Sequence, residues 1–495
     1  MKKCMCMVLA LITAGNLLAQ DPAAKKYGDL ITPADLKENL SILASDAMEG
    51  RETGKRGQKM AAAFVKANFE DFGLAGPVSG GFYQNVELYT SMPGDIYLKS
   101  GQTKFLNFQE VVFYGSSDSG GEVTVPVVFV GKGRKEDFDL INVEGKAAVI
   151  QQGAEENYRA ALTLARERKA KVVLIYNADV NAYKELSAQL KDYLSEGILS
   201  VKKPEAGEQR AGVFFISQTA AAKVLNTTIE KLSKAVTENT VKKVKPATIT
   251  YKTAMDIHVL KSDNVLGYLE GTDKKDELLV ISAHYDHIGK IKGTEGDLIN
   301  NGADDDGSGT VSVIQLAKAF TQAKKEGKGP RRSILFLLVT GEEKGLLGSD
   351  YYTQHPVFPL DKTVVDLNID MVGRRDPQHK DSAPYVYVIG SDKLSTELHN
   401  LNEAQNKAHT NLLFDYTYND QNHPDRLYYR SDHWNFAKNN IPIVFYFDGI
   451  HEDYHKPSDE VSKIEFDLMA LRAQCVFYTA WEIANRDQRI VADKK

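Results

Sequence analysis

The second half of the sequence alternates between short apolar runs and amphipathic segments. From about residue 263, four runs have the composition of buried strands: DELLVISAHYD, RRSILFLLVTGEE, KTVVDLNIDMVG and IPIVFYFDG. Two further segments, SGTVSVIQLAKAF and FDLMALRAQCVFYTAWEIAN, have helical spacing. Strands that alternate with helices predict an α/β domain built on a mostly parallel sheet.

Each predicted strand is followed by residues that can carry chemistry. The ionisable residues at these strand ends are His284, Asp286, Glu342, Glu343, Asp370 and, after a longer loop, His455. In open α/β sheets the carboxyl ends of the strands form the ligand crevice. One histidine or one acidic pair is more often structural, but their recurrence at successive strand ends predicts a functional site.

A run of three aspartates, Asp304, Asp305 and Asp306, precedes the first predicted helix of this half. A helix needs only one N-terminal cap, and adjacent carboxylates repel one another. Together with the histidines and acids above, one of the three would complete a set of nitrogen and oxygen ligands, which suits zinc or a similar cation. Two histidines and three carboxylates are too many for one tetrahedral ion with an open position, and they suit two ions that share a bridging carboxylate. Residue types alone leave open which aspartate binds.

The 495 residues are too many for one ordinary domain. Residues 20–110 begin with two helical patterns, one opening at Thr32 and the other stopping at Gly73. Residues 111–250 change to short β runs with intervening helices and contain no histidine, so we interpret them as an inserted accessory domain. Residues 251–495 contain the alternating pattern and the candidate site.

Residues 1–19 have the pattern of a secretory signal peptide. Lys2 and Lys3 precede an apolar run that is too short to span a bilayer, and cleavage is expected after Ala19. Cys4 and Cys6 would leave with the signal. We therefore expect an exported, soluble protein of the periplasm or the medium, without a membrane partner. The formal net charge of -6 and the dispersed basic residues also exclude a nucleic-acid partner.

Five motifs, in this order, resemble the co-catalytic zinc aminopeptidase family, which also includes glutamate carboxypeptidase and glutaminyl cyclase. They are AHYDHIG, NGADDDGSG, TGEEKGLLGS, NIDMVG and DYHKPSDE. The resemblance covers roughly residues 263–485 and extends to LASDAMEGRETGKRGQKMAAAFV near the N-terminus. It implies a three-layer α/β/α peptidase domain. Residues 111–250 are similar to the protease-associated α+β domain that such enzymes often carry as an insertion.

The resemblance also implies a role for each motif residue. It implies two zinc ions per chain, with the ligands His284, Asp305, Glu343, Asp370 and His455. Asp305 would bridge the two ions. His284 and Asp370 would hold one ion, and Glu343 and His455 the other. Glu342 would be the general base that takes a proton from the attacking water and returns it to the leaving amine.

Two more residues receive supporting roles. Asp286 would accept the ring N–H of His284 and fix its tautomer, and Tyr454 would donate its hydroxyl to the developing oxyanion, as in some members of the family. Asp432 is a candidate partner of a ligand, and Arg430 a candidate contact for a substrate carboxylate. Other histidines near the motifs are expected to lie outside the ligand set: His287, His423, His433 and His451.

The expected activity is hydrolysis of N-terminal residues from peptide substrates by a metal-bridged hydroxide. Three alternatives stay open: an aminoacyltransferase of the glutaminyl cyclase type with one zinc, a carboxypeptidase of the same fold, and a catalytically inactive binding protein. The complete ligand set and the GEEKGLLGS motif favour the peptidase. The sequence does not indicate an oligomeric state.

Overall fold

A computed structural model describes residues 21–115, 117–153, 158–204 and 211–494. The predicted signal peptide, residues 1–19, lies outside these ranges. The chain divides into two compact units: the first combines residues up to Val86 with those from Ser262 onward, and the second is Glu87–Lys261. The second unit extends beyond the predicted insert, 111–250, on both sides, and its identity as a protease-associated domain stays a prediction.

The described residues contain fifteen strands and thirteen α-helices. Strands β1 to β15 are Tyr83–Ser100, Thr103–Leu106, Val111–Tyr114, Val123–Gly131, Ala147–Gln152, Val172–Asn177, Ile198–Ser200, Val213–Ile216, Ala247–Leu269, Lys274–His284, Arg332–Val339, Thr363–Ile369, Tyr385–Ile389, Leu413–Asp415 and Ile443–Phe447. Helices α1 to α13 are Pro22–Gly28, Pro33–Leu43, Arg56–Phe72, Lys135–Leu140, Tyr158–Glu167, Val180–Ser195, Gln218–Val224, Ile229–Thr237, Gly309–Lys325, Leu347–Gln354, Thr396–His409, His433–Ala437 and Phe466–Asn485. None of these helices is long and apolar enough to cross a membrane.

The first unit is built on one sheet with the strand order β14-β13-β15-β12-β10-β11-β9, where β9 contributes its last residues. The four strands predicted from the sequence, β10, β11, β12 and β15, pair with one another in parallel. Strand β9 is antiparallel to β11, and β13 is antiparallel to β15. This confirms the predicted α/β fold with a mostly parallel central sheet.

Helices cover both faces of this sheet. Successive side chains of a strand point to opposite faces, so a strand that is apolar at every position has two faces to bury. In β10, Leu279 and Ile281 pack in the core that also contains residues of α2, α3, α9 and α13. Leu278 and Val280 pack in a second core with residues of α10 and α12. The first unit is therefore a three-layer α/β/α domain, as predicted.

The two N-terminal helical predictions are also confirmed. The Thr32 side chain accepts the N–H of Asp35 and caps α2, which has proline at its first position. Helix α3 ends at Phe72, and Gly73 follows with φ of 85°, a left-handed conformation that suits glycine.

The second unit has its own sheet and cores. Strands β4, β5, β6 and β8 pair in parallel in that order, with β3 antiparallel to β8 and the first part of β9 antiparallel to β4. Helices α4, α5 and α6 pack on one side, and α7 and α8 contribute to the other.

Candidate functional site

The ends of four parallel strands bring the predicted site residues together in the first unit. His284 is the last residue of β10, and Asp370 directly follows β12. Glu342 and Glu343 follow β11, and His455 lies in the loop after β15. Because β10, β11, β12 and β15 are parallel, their carboxyl ends lie at one edge of the sheet.

Asp305 lies between the other four candidate ligands. Its Oδ1 is 3.3 Å from His284 Nε2, and that nitrogen is 3.5 Å from Asp370 Oδ1. Its Oδ2 is 3.0 Å from His455 Nε2, which is 3.1 Å from Glu343 Oε2. The two oxygens of one carboxylate thus face two different pairs of ligands, which is the arrangement that a bridging ligand needs.

The three adjacent aspartates point in different directions, because they lie in an irregular turn, Ala303–Ser308, directly before α9. Asp306 Oδ1 accepts the N–H groups of Gly309 and Met371, and its Oδ2 accepts the N–H of His284. Asp304 Oδ1 accepts the N–H of Gly373, and its Oδ2 lies 3.1 Å from His451 Nε2.

Asp306 and Asp304 therefore have structural partners, and Asp305 is the one of the three that faces the candidate ligands. An oxygen of Asp306 is also within ligand distance of His284 and Asp370. Its three backbone N–H partners nevertheless give Asp306 a structural role at the start of α9. Gly309 belongs to the same arrangement, since an added Cβ there would lie 2.3 Å from Asp306 Oδ1.

The donor set fits a pair of divalent cations. Neither Asp305 Oδ2 nor His455 Nε2 has a hydrogen-bond partner, although both atoms are buried. Within the described ranges, no lysine or arginine nitrogen lies within 4.0 Å of the carboxylates of Asp305, Glu342, Glu343 or Asp370. Buried carboxylates without a cation are costly. Imidazole and carboxylate donors are those that zinc prefers, so the residues fit the predicted metal.

The electrostatics of the cluster also favour positive charge. Burial lowers the pKa of the His284 imidazole, but the carboxylates of Asp370 and Glu342 outweigh burial and hold this pKa well above its usual value. Burial raises the pKa of Asp305, yet its close contacts with the imidazoles of His284 and His455 bring the net pKa well below the ordinary range. Asp305 is therefore held as a carboxylate.

Glu342 lies beside the candidate ligands without belonging to them. Its Oε2 is 3.9 Å from His284 Nε2. Burial, and then repulsion from Glu343, raises the pKa of Glu342 well above its ordinary value. A carboxylate of raised pKa accepts a proton more readily, which suits a general base.

The partner of the His284 ring differs from the prediction. His284 Nδ1 is 3.1 Å from the backbone carbonyl oxygen of Asp286 and 4.0 Å from its carboxylate. The Asp286 carboxylate instead accepts the hydroxyl of Thr53 and the N–H of Glu342. The ring is oriented by the chain just after β10, and the Asp286 carboxylate fixes the backbone of Glu342.

Two cavities meet at Glu342, Arg430 and Tyr454. Beyond the candidate ligands and Glu342, the smaller cavity is lined by Arg430, Ser431, Tyr454 and five apolar side chains: Met371, Leu427, Phe445, Phe447 and Ile450. The larger opens to solvent along Glu343, His455, Tyr429 and Trp434. The Tyr454 ring stacks on His455, with 3.9 Å between ring centroids, and thus braces a candidate ligand.

Arg51 is a site residue that the sequence reasoning missed. Its guanidinium is fully buried and donates to the backbone carbonyls of Tyr285, Leu43, Asn301 and Gly302. These bonds hold the chain just after His284 and the turn before the aspartate run. Its position within the N-terminal segment that resembles bacterial family members was the available signal.

His287 lies closer to the site than predicted. Its Nδ1 is 2.8 Å from Glu343 Oε1, so one Glu343 oxygen faces His287 and the other faces His455. One ring nitrogen of His287 and one oxygen each of Asp305 and Glu343 lie within 4.8 Å of one another. Because His455 Nε2 is nearer to Asp305 Oδ2, at 3.0 Å against 3.9 Å for His287 Nδ1, we interpret His287 as the residue that orients Glu343.

Replacing His287 with alanine is expected to weaken zinc binding by about 10- to 100-fold, the usual cost of removing the partner of a metal ligand. Competition against a chromophoric chelator would measure the affinity. His433→Ala is a matched control, because His433 is equally buried but its Nε2 faces the Tyr428 carbonyl at 2.8 Å. Equal losses in the two variants would contradict a specific role for His287.

The remaining histidines and Asp432 lie outside the ligand set. His433 stacks on Phe445, and burial lowers its pKa to about 3. His423 pairs with Asp425 at the surface side of the loop, 3.7 Å apart. Asp432 accepts the hydroxyl of Ser349 rather than a candidate ligand.

Comparisons with known proteins agree with this fold. Residues 264–480 match the model of peptidase family M28. The chain is 24% identical over 507 residues to aminopeptidase YwaD of Bacillus subtilis, covering 99% of this chain and 95% of that protein. It is 36% identical over 107 residues to a vacuolar membrane protease of Tuber melanosporum, covering 21% of this chain and only 10% of that protein.

A solved structure, the aminopeptidase from Aneurinibacillus sp. strain AM-1, shares the fold. Its TM-score is 0.57 at 18% identity, over 95% of this chain and 98% of that one. The fold and the family match together define the class: residues 264–480 have the character of a peptidase family M28 domain, which makes the protein a metallopeptidase. The two similar proteins that align with nearly the whole chain, from Bacillus subtilis and from Aneurinibacillus, are both named aminopeptidases.

Proposed function

We propose that this protein is an exported zinc aminopeptidase that removes N-terminal residues from peptides. The observation that carries the proposal is Asp305, whose two oxygens face two separate pairs of ligand atoms at 3.0 and 3.3 Å from the nearest histidine nitrogens. Glu342 adds a candidate general base to the same cluster. Ligands and base together suit hydrolysis of an amide bond.

Two zinc ions would be held by His284, Asp305 and Asp370 on one side and by Asp305, Glu343 and His455 on the other. When bound, they would polarise the scissile carbonyl, lower the pKa of water and offset the negative charge that develops on the oxygen.

The protein's own residues would then move one proton. Glu342 takes a proton from the attacking water as the water oxygen bonds to the carbonyl carbon. The same proton passes to the nitrogen of the leaving amine as the carbon–nitrogen bond breaks. The Tyr454 hydroxyl, at the junction of the two cavities, would donate to the oxyanion. Asp286 supports this step by holding the backbone N–H of Glu342.

The two cavities support cleavage at a chain end. An exopeptidase needs a small pocket for the terminal residue and an open channel for the rest of the substrate. The apolar residues of the smaller cavity suit contact with a terminal side chain, and the larger cavity suits the remaining peptide. The similarity to aminopeptidase YwaD over 99% of this chain favours the N-terminus as the end that is cleaved.

Export is supported by the N-terminal sequence. Lys2 and Lys3, the apolar run after them and Ala19 give residues 1–19 the pattern of a cleaved signal peptide. A bacterial periplasmic or secreted enzyme would act on peptides that arise outside the cytoplasm.

One observation favours a second candidate. Arg430 lines both cavities beside Glu342, and an arginine there suits a substrate carboxylate. A carboxypeptidase of the same fold would use it to bind the C-terminus.

Metal content and terminal specificity test the proposal together. We would measure zinc per chain by elemental analysis and assay leucine p-nitroanilide, its N-acetylated form and an N-acetylated peptide with a free C-terminus. Each assay is run on protein as purified, after chelation and after zinc is restored. An N-terminal glutamine peptide tests for cyclisation.

The proposal predicts about two zinc ions per chain, as for a two-metal hydrolase, and chelator-sensitive cleavage of the free N-terminus alone. Cleavage of the N-acetylated peptide from its C-terminus would contradict the proposed aminopeptidase function and indicate a carboxypeptidase. One zinc with cyclisation of glutamine would indicate an aminoacyltransferase. If the protein bound no metal and turned over none of the substrates, it would be a binding protein.

A further inference from the structure

The loop after β15 makes a second contact with the aspartate run, separate from the candidate ligands. Asp459, a fully buried residue of this loop, accepts the N–H of Asp304 at 3.0 Å and the N–H of Asp305 at 3.1 Å with its Oδ2. Its other oxygen lies 3.2 Å from the same Asp304 nitrogen. Its backbone carbonyl accepts the N–H of Ala303 at 3.1 Å. One residue thus accepts three consecutive N–H groups.

These bonds constrain the backbone on which the Asp305 side chain is mounted. The bond to the N–H of Asp305 holds the backbone of that residue directly. The bonds to the N–H groups of Ala303 and Asp304 hold the two residues before it. His455 lies in the same loop, four residues before Asp459. Asp459 therefore connects the backbone of Asp305 to the segment that carries His455, the two residues whose side chains lie 3.0 Å apart.

The loop also has anchors that do not depend on Asp459. His451 Nε2 lies 3.1 Å from Asp304 Oδ2. Asp453 accepts bonds from Arg374, Ser458 and Lys463. Loss of the Asp459 carboxylate would therefore change the position of Asp305 relative to His455 while these anchors hold the loop in place.

We propose that Asp459 is a positioning residue: it sets the separation of Asp305 and His455 and thereby the affinity of the Glu343 and His455 side for a divalent metal. This inference rests on the proposed function, since it takes those side chains to be metal ligands. It assigns Asp459 no contact with substrate.

The test compares Asp459→Ala and Asp459→Asn with the wild type, using zinc alone as the probe. Asparagine keeps one acceptor oxygen for the two N–H groups, whereas alanine keeps none. Asp453→Ala is the matched control, because it breaks three bonds in the same loop without touching the aspartate run. On metal-free protein we would measure hydrogen exchange of the Asp304 and Asp305 amides, and then titrate zinc.

Asp459→Ala is expected to speed exchange of the two amides and to weaken one of the two zinc equivalents by about 10- to 100-fold. Asp459→Asn should recover most of both properties. Asp453→Ala should lower the melting temperature but leave the two amides and both zinc equivalents close to wild type.

Three results would overturn the proposal: unchanged amide exchange in Asp459→Ala, faster exchange with unchanged zinc affinity, or the same zinc loss in Asp453→Ala. Each of these results is a comparison with wild-type protein that binds zinc. A wild type that takes up no zinc would instead overturn the proposed function and the metal part of this inference with it.

Discussion

Glu342→Gln is expected to lower kcat by about 10²- to 10⁴-fold, the usual contribution of a general acid–base group. Zinc content should stay at the wild-type level, because Glu342 lies 3.9 Å from His284 Nε2 and is not one of the five candidate ligands. An amide of nearly the same shape keeps the packing but cannot accept the proton. Steady-state kinetics with leucine p-nitroanilide, beside elemental analysis of the same sample, would measure both quantities.

The neighbouring Glu343 provides the control for this prediction. Glu343→Gln changes the same chemical group one residue later, but Glu343 Oε2 faces His455 at 3.1 Å. Its expected effect is a lower zinc content, and added zinc should restore part of its activity. Activity of Glu342→Gln that is unchanged, or that recovers with added zinc, would remove Glu342 from the role of base.

Asp305→Ala is expected to lose both metals. Since its two oxygens face both pairs of ligands, the substitution removes a donor from each side at once. The loss of affinity should exceed the roughly 100-fold that follows removal of an indirect partner. Zinc titration of metal-free protein, with circular dichroism to verify the fold, would measure it.

The other two aspartates of the run are the natural comparison. Asp304→Ala should retain far more zinc than Asp305→Ala, because its carboxylate bonds to His451 and Gly373. Asp306→Ala should chiefly reduce the free energy of unfolding, by about 1–3 kcal/mol, because N–H groups at the start of α9 and after β12 lose their acceptor. Equal loss of zinc from Asp304→Ala and Asp305→Ala would refute the assignment of Asp305 as the bridge.

The parts of the fold that follow from hydrophobic patterning were predictable. Strands β10, β11, β12 and β15 each contain a largely apolar run, because both faces of the sheet are buried there. Strands β13 and β14 were not predicted. Strand β14 has only three residues, Leu413–Asp415. The 23-residue β9 was also missed: polar residues interrupt its pattern, so no continuous run marks it.

The proximity of the candidate site residues could be predicted, because most of these ionisable residues lie at strand ends. The cluster of His284, Asp305, Glu343, Asp370 and His455 was predicted as a set, and the structure brings these residues together. The contacts of Arg51 and Asp459 could not be predicted. Both act through backbone groups of distant segments, and a backbone carbonyl or N–H leaves no signature in residue type. Arginine is also rarely fully buried, so the residue type of Arg51 predicts a position at the surface.

The bonds of Arg51 have a consequence for the timing of synthesis. Its acceptor Tyr285 is 234 residues further along the chain. At about 5–20 residues per second, a ribosome needs roughly 10–50 s to reach that acceptor. During this interval the Leu43 carbonyl is the one acceptor named above that already exists for Arg51, while the whole of Glu87–Lys261 is synthesised. The bonds from Arg51 to Tyr285, Asn301 and Gly302 can therefore form only after the whole second unit has been synthesised.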